Sequence, residues 1–133
     1  ERNKTAYVDH MMAVRQGNHL RDWLVFFLHG VEETARGSAG VFRAILALKE
    51  RIEREVLPRF SHRRQENAQQ LMRNLYAQPV TDVKAVTALL STTTNTAASL
   101  INDMVEQGVL VEVTGGRRNR LFLFHDYLEL FRK

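Results

Sequence analysis

Apolar residues recur at helical spacing along most of the chain. Between Thr5 and Arg15, Ala6, His10, Ala13 and Val14 fall on one face, with Tyr7 and Met11 beside them, and Gly17-Asn18 ends the run. Trp23, Leu24, Phe27, Leu28 and Val31 then trace a wide apolar stripe. Val25 and Phe26 broaden it, which predicts a largely buried helix from Leu20 to Arg36. Gly37-Ser38 reads as the next break. Ser38 would cap a third helix from Ala39 to Leu57, carried by Val41, Ile45, Leu48 and Ile52. The two helices of 20–57 are expected to fold back as an antiparallel pair with Phe27 and Leu48 in its core. The outer face of the third helix carries Lys49, Glu50, Arg51, Glu53, Arg54 and Glu55, mixed charges typical of a solvated surface. Pro58 ends the helix, and Phe60-Ser61-His62 reads as a linker.

Beyond the linker the segments shorten. Residues 63–77 predict a helix with Ala68, Leu71, Met72, Leu75 and Tyr76 on one face, stopped by Pro79. Thr81 or Asp82 caps a short helix ending near Leu90, with Val83, Val86, Leu89 and Leu90 turned inward. After the turn Ser91-Thr92-Thr93, Thr93 caps a helix that reaches Gln107. That helix buries Ala97, Leu100, Ile101, Met104 and Val105 and stops at Gly108. Val109–Thr114 and Arg120–Phe124 read as two strands. Gly115-Gly116 would supply the positive φ angles of a tight hairpin. A short helix on Tyr127, Leu128 and Phe131 closes the chain.

Three short helices followed by a hairpin resemble the winged-helix form of the helix-turn-helix. The matching positions are Leu89-Leu90, the cap Thr93, Thr96-Ala97, the Ile101/Met104 face and Gly108-Val109-Leu110. Ser91 stands where many members carry glycine. The expected fold class is therefore mainly α: antiparallel helices, then a winged helix-turn-helix with one two-stranded hairpin.

Composition narrows the function classes. The chain has 133 residues, enough for one domain or two small ones. Its 44% hydrophobic content supports a core, yet no apolar run approaches the ~20 residues of a membrane helix. No membrane partner is expected. The absence of cysteine excludes disulfides and thiolate metal sites and fits a cytoplasmic protein. None of the five histidines pairs at i, i+4, so no zinc site is read, and no nucleophile elbow occurs. The net charge of +4 is spread evenly, which permits nucleic-acid binding without demanding it.

The expected wing is the basic feature. Arg117, Arg118 and Arg120, with Asn119 among them, would be exposed at its tip. The helix expected to meet a major groove presents Thr94, Asn95, Ala98, Ser99, Asn102, Asp103 and Glu106, with no Lys or Arg. The phosphate load would fall on the wing and on Arg63, Arg64, Arg73 and Lys84. The candidate nucleic-acid-binding residues are Arg117, Arg118, Asn119, Arg120, Thr94, Asn95, Ser99 and Lys84. The competing reading is that the arginines only keep an exposed turn soluble.

The first sixty residues resemble the region after the active-site motif of bacterial Fic (Fido) family proteins. The resemblance rests on Tyr7, Ala13-Val14-Arg15, Gly17-Asn18, Trp23-Leu24, Phe26-Phe27-Leu28 and Gly30-Val31, in that order. Such proteins often continue through a long helix into a C-terminal winged helix, so the resemblance spans nearly the whole chain. It implies C-terminal Fic-type helices over 1–60, a winged helix over 61–133, and a parent that transfers AMP from ATP to a protein hydroxyl. ATP and magnesium are implied for that parent by resemblance alone. The His-Pro-Phe start and Gly-Asn-Gly-Arg loop of the family do not occur here; Gly17-Asn18 is followed by His19. No catalytic, cofactor-binding or metal residue carries over. The chain, which opens on Glu1, is expected to be a non-catalytic fragment.

Three functions stay open. One is a DNA-binding regulator, with the wing as the contact. A second is an interaction module that recruits AMPylation targets or forms a homodimer, favoured if the Trp23/Phe26-Phe27 stripe is left exposed. The third is an inert scaffold of the catalytic domain.

Overall fold

The computed structural model describes the backbone of residues 4–17 and 20–132. Asn18 and His19 lie outside the described residues, as do the side chains of His10, Met11, Ala13 and Val14 from the first predicted stripe. The protein is mainly helical, with a small antiparallel sheet. It forms two compact units, Glu1–Phe42 and Arg43–Lys133. Among the described residues no helix is long and apolar enough to cross a membrane.

The first unit holds α1 (Lys4–Gly17) and most of α2 (Leu20–Arg51). The antiparallel pair expected over 20–57 does not form, because α2 runs unbroken through Gly37-Ser38. A glycine inside a helix costs about 1 kcal/mol relative to alanine but keeps its N–H. Neither Gly37 nor Gly40 takes a positive φ, so neither ends the helix. Ala35, Arg36 and Ala39 favour the helix beside them, and Glu32 and Arg36 pair at 2.7 Å one turn before. Ser38 is accordingly an interior residue and caps nothing. The buried stripe expected at 23–31 is also absent. Leu24, Phe27, Leu28 and Val31 are all exposed, Phe27 at 48%. Trp23 stacks on Phe27 with ring centroids 5.4 Å apart.

The second unit carries the closed core. The last turns of α2 bring in Leu48, then the helix widens into a π turn over Ile52–Val56 and tightens into a 3-10 turn over Leu57–Arg59, where Pro58 sits. The charges on this stretch pair with one another at the surface (Lys49 with Glu53 at 3.8 Å, Arg54 with Glu50 at 3.4 Å), as a solvated face should. The helix α3 (His62–Ala77) buries Ala68, Leu71, Met72 and Leu75. It ends two residues before Pro79, as expected from the missing N–H. Asp82 then caps α4 (Val83–Leu90), its carboxylate accepting from the Ala85 N–H at 2.7 Å. Thr93 does the same for α5 (Thr94–Glu106), accepting from Thr96 N–H at 3.2 Å. Each such cap contributes about 1 kcal/mol.

Gly108 takes φ +75° just past α5. Its N–H bonds the Val105 carbonyl at 3.0 Å, and the Val109 N–H bonds the Met104 carbonyl at 2.9 Å. This is the Schellman closure, and it holds Val109 and Leu110 in the core rather than in a strand. The strands are therefore shorter than expected: β2 is Val111–Glu112 and β3 is Leu121–Leu123. A third strand, β1 (Val80–Asp82), joins them, so the expected two-stranded hairpin is part of a three-stranded sheet ordered β1-β3-β2. Thr81 pairs with Phe122, and Glu112 flanks Phe122 from the other side. Phe122 and Phe124 are fully buried against Leu71, Leu75, Ile101 and Met104 in one apolar cluster. The short helix α6 (His125–Glu129) follows β3, and its Asp126 pairs with Arg51 at 2.6 Å.

Candidate nucleic-acid interface

The segment from Val113 to Arg120, between β2 and β3, is a long loop rather than a tight turn. Gly115 takes φ +61°, as expected, but Gly116 does not; the second left-handed residue is Asn119 at φ +53°. Asparagine tolerates that conformation because its short polar side chain bonds locally. The Thr114 hydroxyl ties the loop's base by accepting from the Leu121 N–H at 3.1 Å.

The loop's arginines differ in what they do. Arg117 and Arg118 are exposed. Arg120 is half-buried and bonds Glu112 through two contacts, Nε to Oε1 at 2.8 Å and Nη2 to Oε2 at 2.5 Å. Its guanidinium also lies 5.1 Å from the Phe122 ring centroid. The Arg120 hydrogen bond holds the Glu112 carboxyl below the usual range, and the Glu112 hydrogen bond raises Arg120 in turn. The charge of Arg120 is thus largely answered inside the sheet, and its role is to hold the loop base. Sequence reading missed Glu112. The signal available was an acidic residue before the glycines facing a basic one after them.

A cleft of about 770 Å³ opens between α4, the start of α5 and this loop. Five of the eight candidate residues line it: Lys84, Thr94, Arg117, Asn119 and Arg120. Thr87 lines it as well, a residue not singled out from sequence, and Asp82 contributes an acidic edge whose Oδ1 is engaged by the cap. Arg118 and Asn95 are exposed outside the cleft. Ser99 is placed elsewhere. Its hydroxyl accepts from Arg64 Nη2 at 2.8 Å, and Arg64 Nη1 lies 2.5 Å from Asp103. This pairing fastens α5 to α3. It engages the Ser99 hydroxyl and the Arg64 guanidinium within the unit and answers the charge of Asp103. Arg73 lines a different cleft, and Arg63 is exposed.

Among the described residues no three His, Asp or Glu side chains converge as a metal site. No family model matches the chain, and no curated protein matches it either.

Proposed function

We propose that residues Arg43–Lys133 form a winged helix that binds duplex nucleic acid weakly and with little sequence preference. The supporting topology is α3, β1, α4, α5 and then the β2–β3 wing. The observation that carries the reading is the cleft where Lys84 of α4, Thr94 at the start of α5, and Arg117 and Asn119 of the wing line one concavity. Lys84 and Arg117 at its wall, beside the Glu112-paired Arg120 and with Arg118 outside it, suit a phosphate backbone. The uncharged Thr94 and the N-terminus of α5 leave room for a close approach. The groups available for base edges, Thr94 and Asn95, offer few two-point contacts, so affinity rests on phosphates. Kd should fall in the ~10⁻⁴–10⁻⁶ M range of non-specific binding. Fluorescence anisotropy of a labelled duplex at low salt tests this. Binding that weakens in Lys84→Ala/Arg117→Ala supports it, and no binding to the wild type overturns it.

We also propose that the chain is the non-catalytic C-terminal part of a Fic-type AMP-transferase. The support is the residue pattern from Tyr7 to Val31 and the order of helices before the second unit. In this reading the chain alone neither binds ATP tightly nor transfers AMP. Incubation with labelled ATP and a panel of proteins should leave no labelled product, and stoichiometric labelling would refute it.

A second reading, an interaction or self-association module, is favoured by one observation. The first unit exposes Leu20, Leu24, Val25, Phe27, Leu28 and Val31 along a single helix. Exposed apolar surface on that scale commonly marks a protein contact. Analytical ultracentrifugation separates the readings: a monomer across the micromolar range removes self-association and leaves recruitment of another protein.

A further inference from the structure

A second cleft, of about 710 Å³, lies in the second unit away from the wing and has no part in the reading above. One wall is the end of α2 where it opens into the π turn, and the facing wall is α3. π turns occur often at functional sites, since the wider turn re-aims the side chains that follow. Ile52 begins the turn, and Met72 faces it from α3. Both are nearly inaccessible and give the cleft an apolar floor.

The polar groups of the cleft are not balanced. Lys49 is paired with Glu53 at 3.8 Å. Arg73 has neither a hydrogen bond nor an ion pair among the described residues, so one positive charge is unanswered at the rim. Tyr76, one helical turn after Met72, lines the cleft, and its hydroxyl is enclosed without a partner. Its ring is accounted for by packing, with Phe124 and Tyr127 each 5.6 Å away. A phenylalanine would serve that packing equally. The hydroxyl is what packing leaves unexplained, since buried polar groups are nearly always paired.

We infer that this cleft binds a small monocarboxylate with an aromatic or aliphatic body. The body rests against Ile45 and Tyr127, over Ile52 and Met72. The carboxylate sits on Arg73 and accepts from the Tyr76 hydroxyl once the enclosing side chains part. The volume lies within the ~300–1,000 Å³ span of small-molecule sites. Burial, then the charge of Glu53, then Tyr127 push the Tyr76 hydroxyl up to about 12. It therefore keeps its proton at working pH and remains a donor.

The test is a titration of the whole chain with 4-phenylbutyrate, followed through the Met72 methyl resonance by NMR, with 4-phenylbutan-1-ol as the uncharged control. The expected result is a saturable shift with the acid and binding about tenfold weaker or more with the alcohol, as loss of a charge-assisted bond implies. Tyr76→Phe and Arg73→Gln should each weaken the acid by about fivefold or more. Tyr76→Phe keeps the ring packing, so its fold and melting temperature should be retained. No saturable shift, equal binding of acid and alcohol, or wild-type affinity in both variants would overturn the proposal.

Discussion

Ser91 shows how a single residue can be held against its own preference. It takes φ +48° and ψ +47°, a left-handed conformation, to end α4 and start the turn toward Thr93. A residue with a Cβ pays roughly 1–2 kcal/mol there, and glycine does not. Glycine gives back part of that through its freer unfolded chain. Ser91→Gly should therefore stabilise the protein by about 0.5–1 kcal/mol, which denaturant unfolding would register. Tyr76 offers a test that needs no ligand. Its folded pKa is about 12 against an ordinary 10.0, so the native state holds the proton more tightly than the unfolded chain. The stabilisation from this difference is complete below pH 10 and is lost as pH rises from 10 to 12. Over that window unfolding free energy should fall more steeply in the wild type than in Tyr76→Phe. Parallel curves would mean that the hydroxyl is not enclosed in solution.

At the scale of elements, the punctuation of the second unit was legible and its pairings were not. Asp82, Thr93, Gly108 and Pro79 act locally, through one side-chain oxygen, one positive φ or one missing N–H, so the sequence displays them directly. The strand β1 escaped notice because three residues carry no periodicity and its last one doubles as a helix cap. Gly37-Ser38 misled for the opposite reason: glycine weakens a helix without ending it, and the flanking residues prevail. The candidate site was half legible. Residue type marked Lys84, Arg117 and Asn119, but only the fold could show that Arg120 and Ser99 are engaged inside the unit by Glu112 and Arg64. The core of the second unit was legible, with Leu71, Leu75, Ile101 and Met104 buried as expected, but the stripe at 23–31 was misplaced, since apolar spacing identifies a face and not whether anything covers it. Ile101→Ala, at a site with no exposure, should cost about 2–5 kcal/mol. Phe27→Ala, at a side chain already 48% exposed, should change stability by less than about 1 kcal/mol. Calorimetric or denaturant unfolding of both variants distinguishes them, and equal losses would place Phe27 in a core.

At the scale of the molecule, the two units present different surfaces. The first exposes apolar side chains along one long helix. The second encloses a core around Ile101, Phe122 and Phe124 and presents cations at a cleft between the β2–β3 loop and two helices. The central proposal is that this cleft and the tip of the β2–β3 loop contact phosphates. Counterion release makes the contacts countable, since the slope of log Kobs against log salt changes by about 0.9 for each phosphate contact on duplex DNA. The decisive measurement is therefore a titration of one labelled duplex at several salt concentrations, comparing wild type with Lys84→Ala/Arg117→Ala/Arg118→Ala. The account predicts that the magnitude of the slope falls by about 2–3 in the triple variant. An unchanged slope, or no binding of the wild type at the lowest salt, would contradict it.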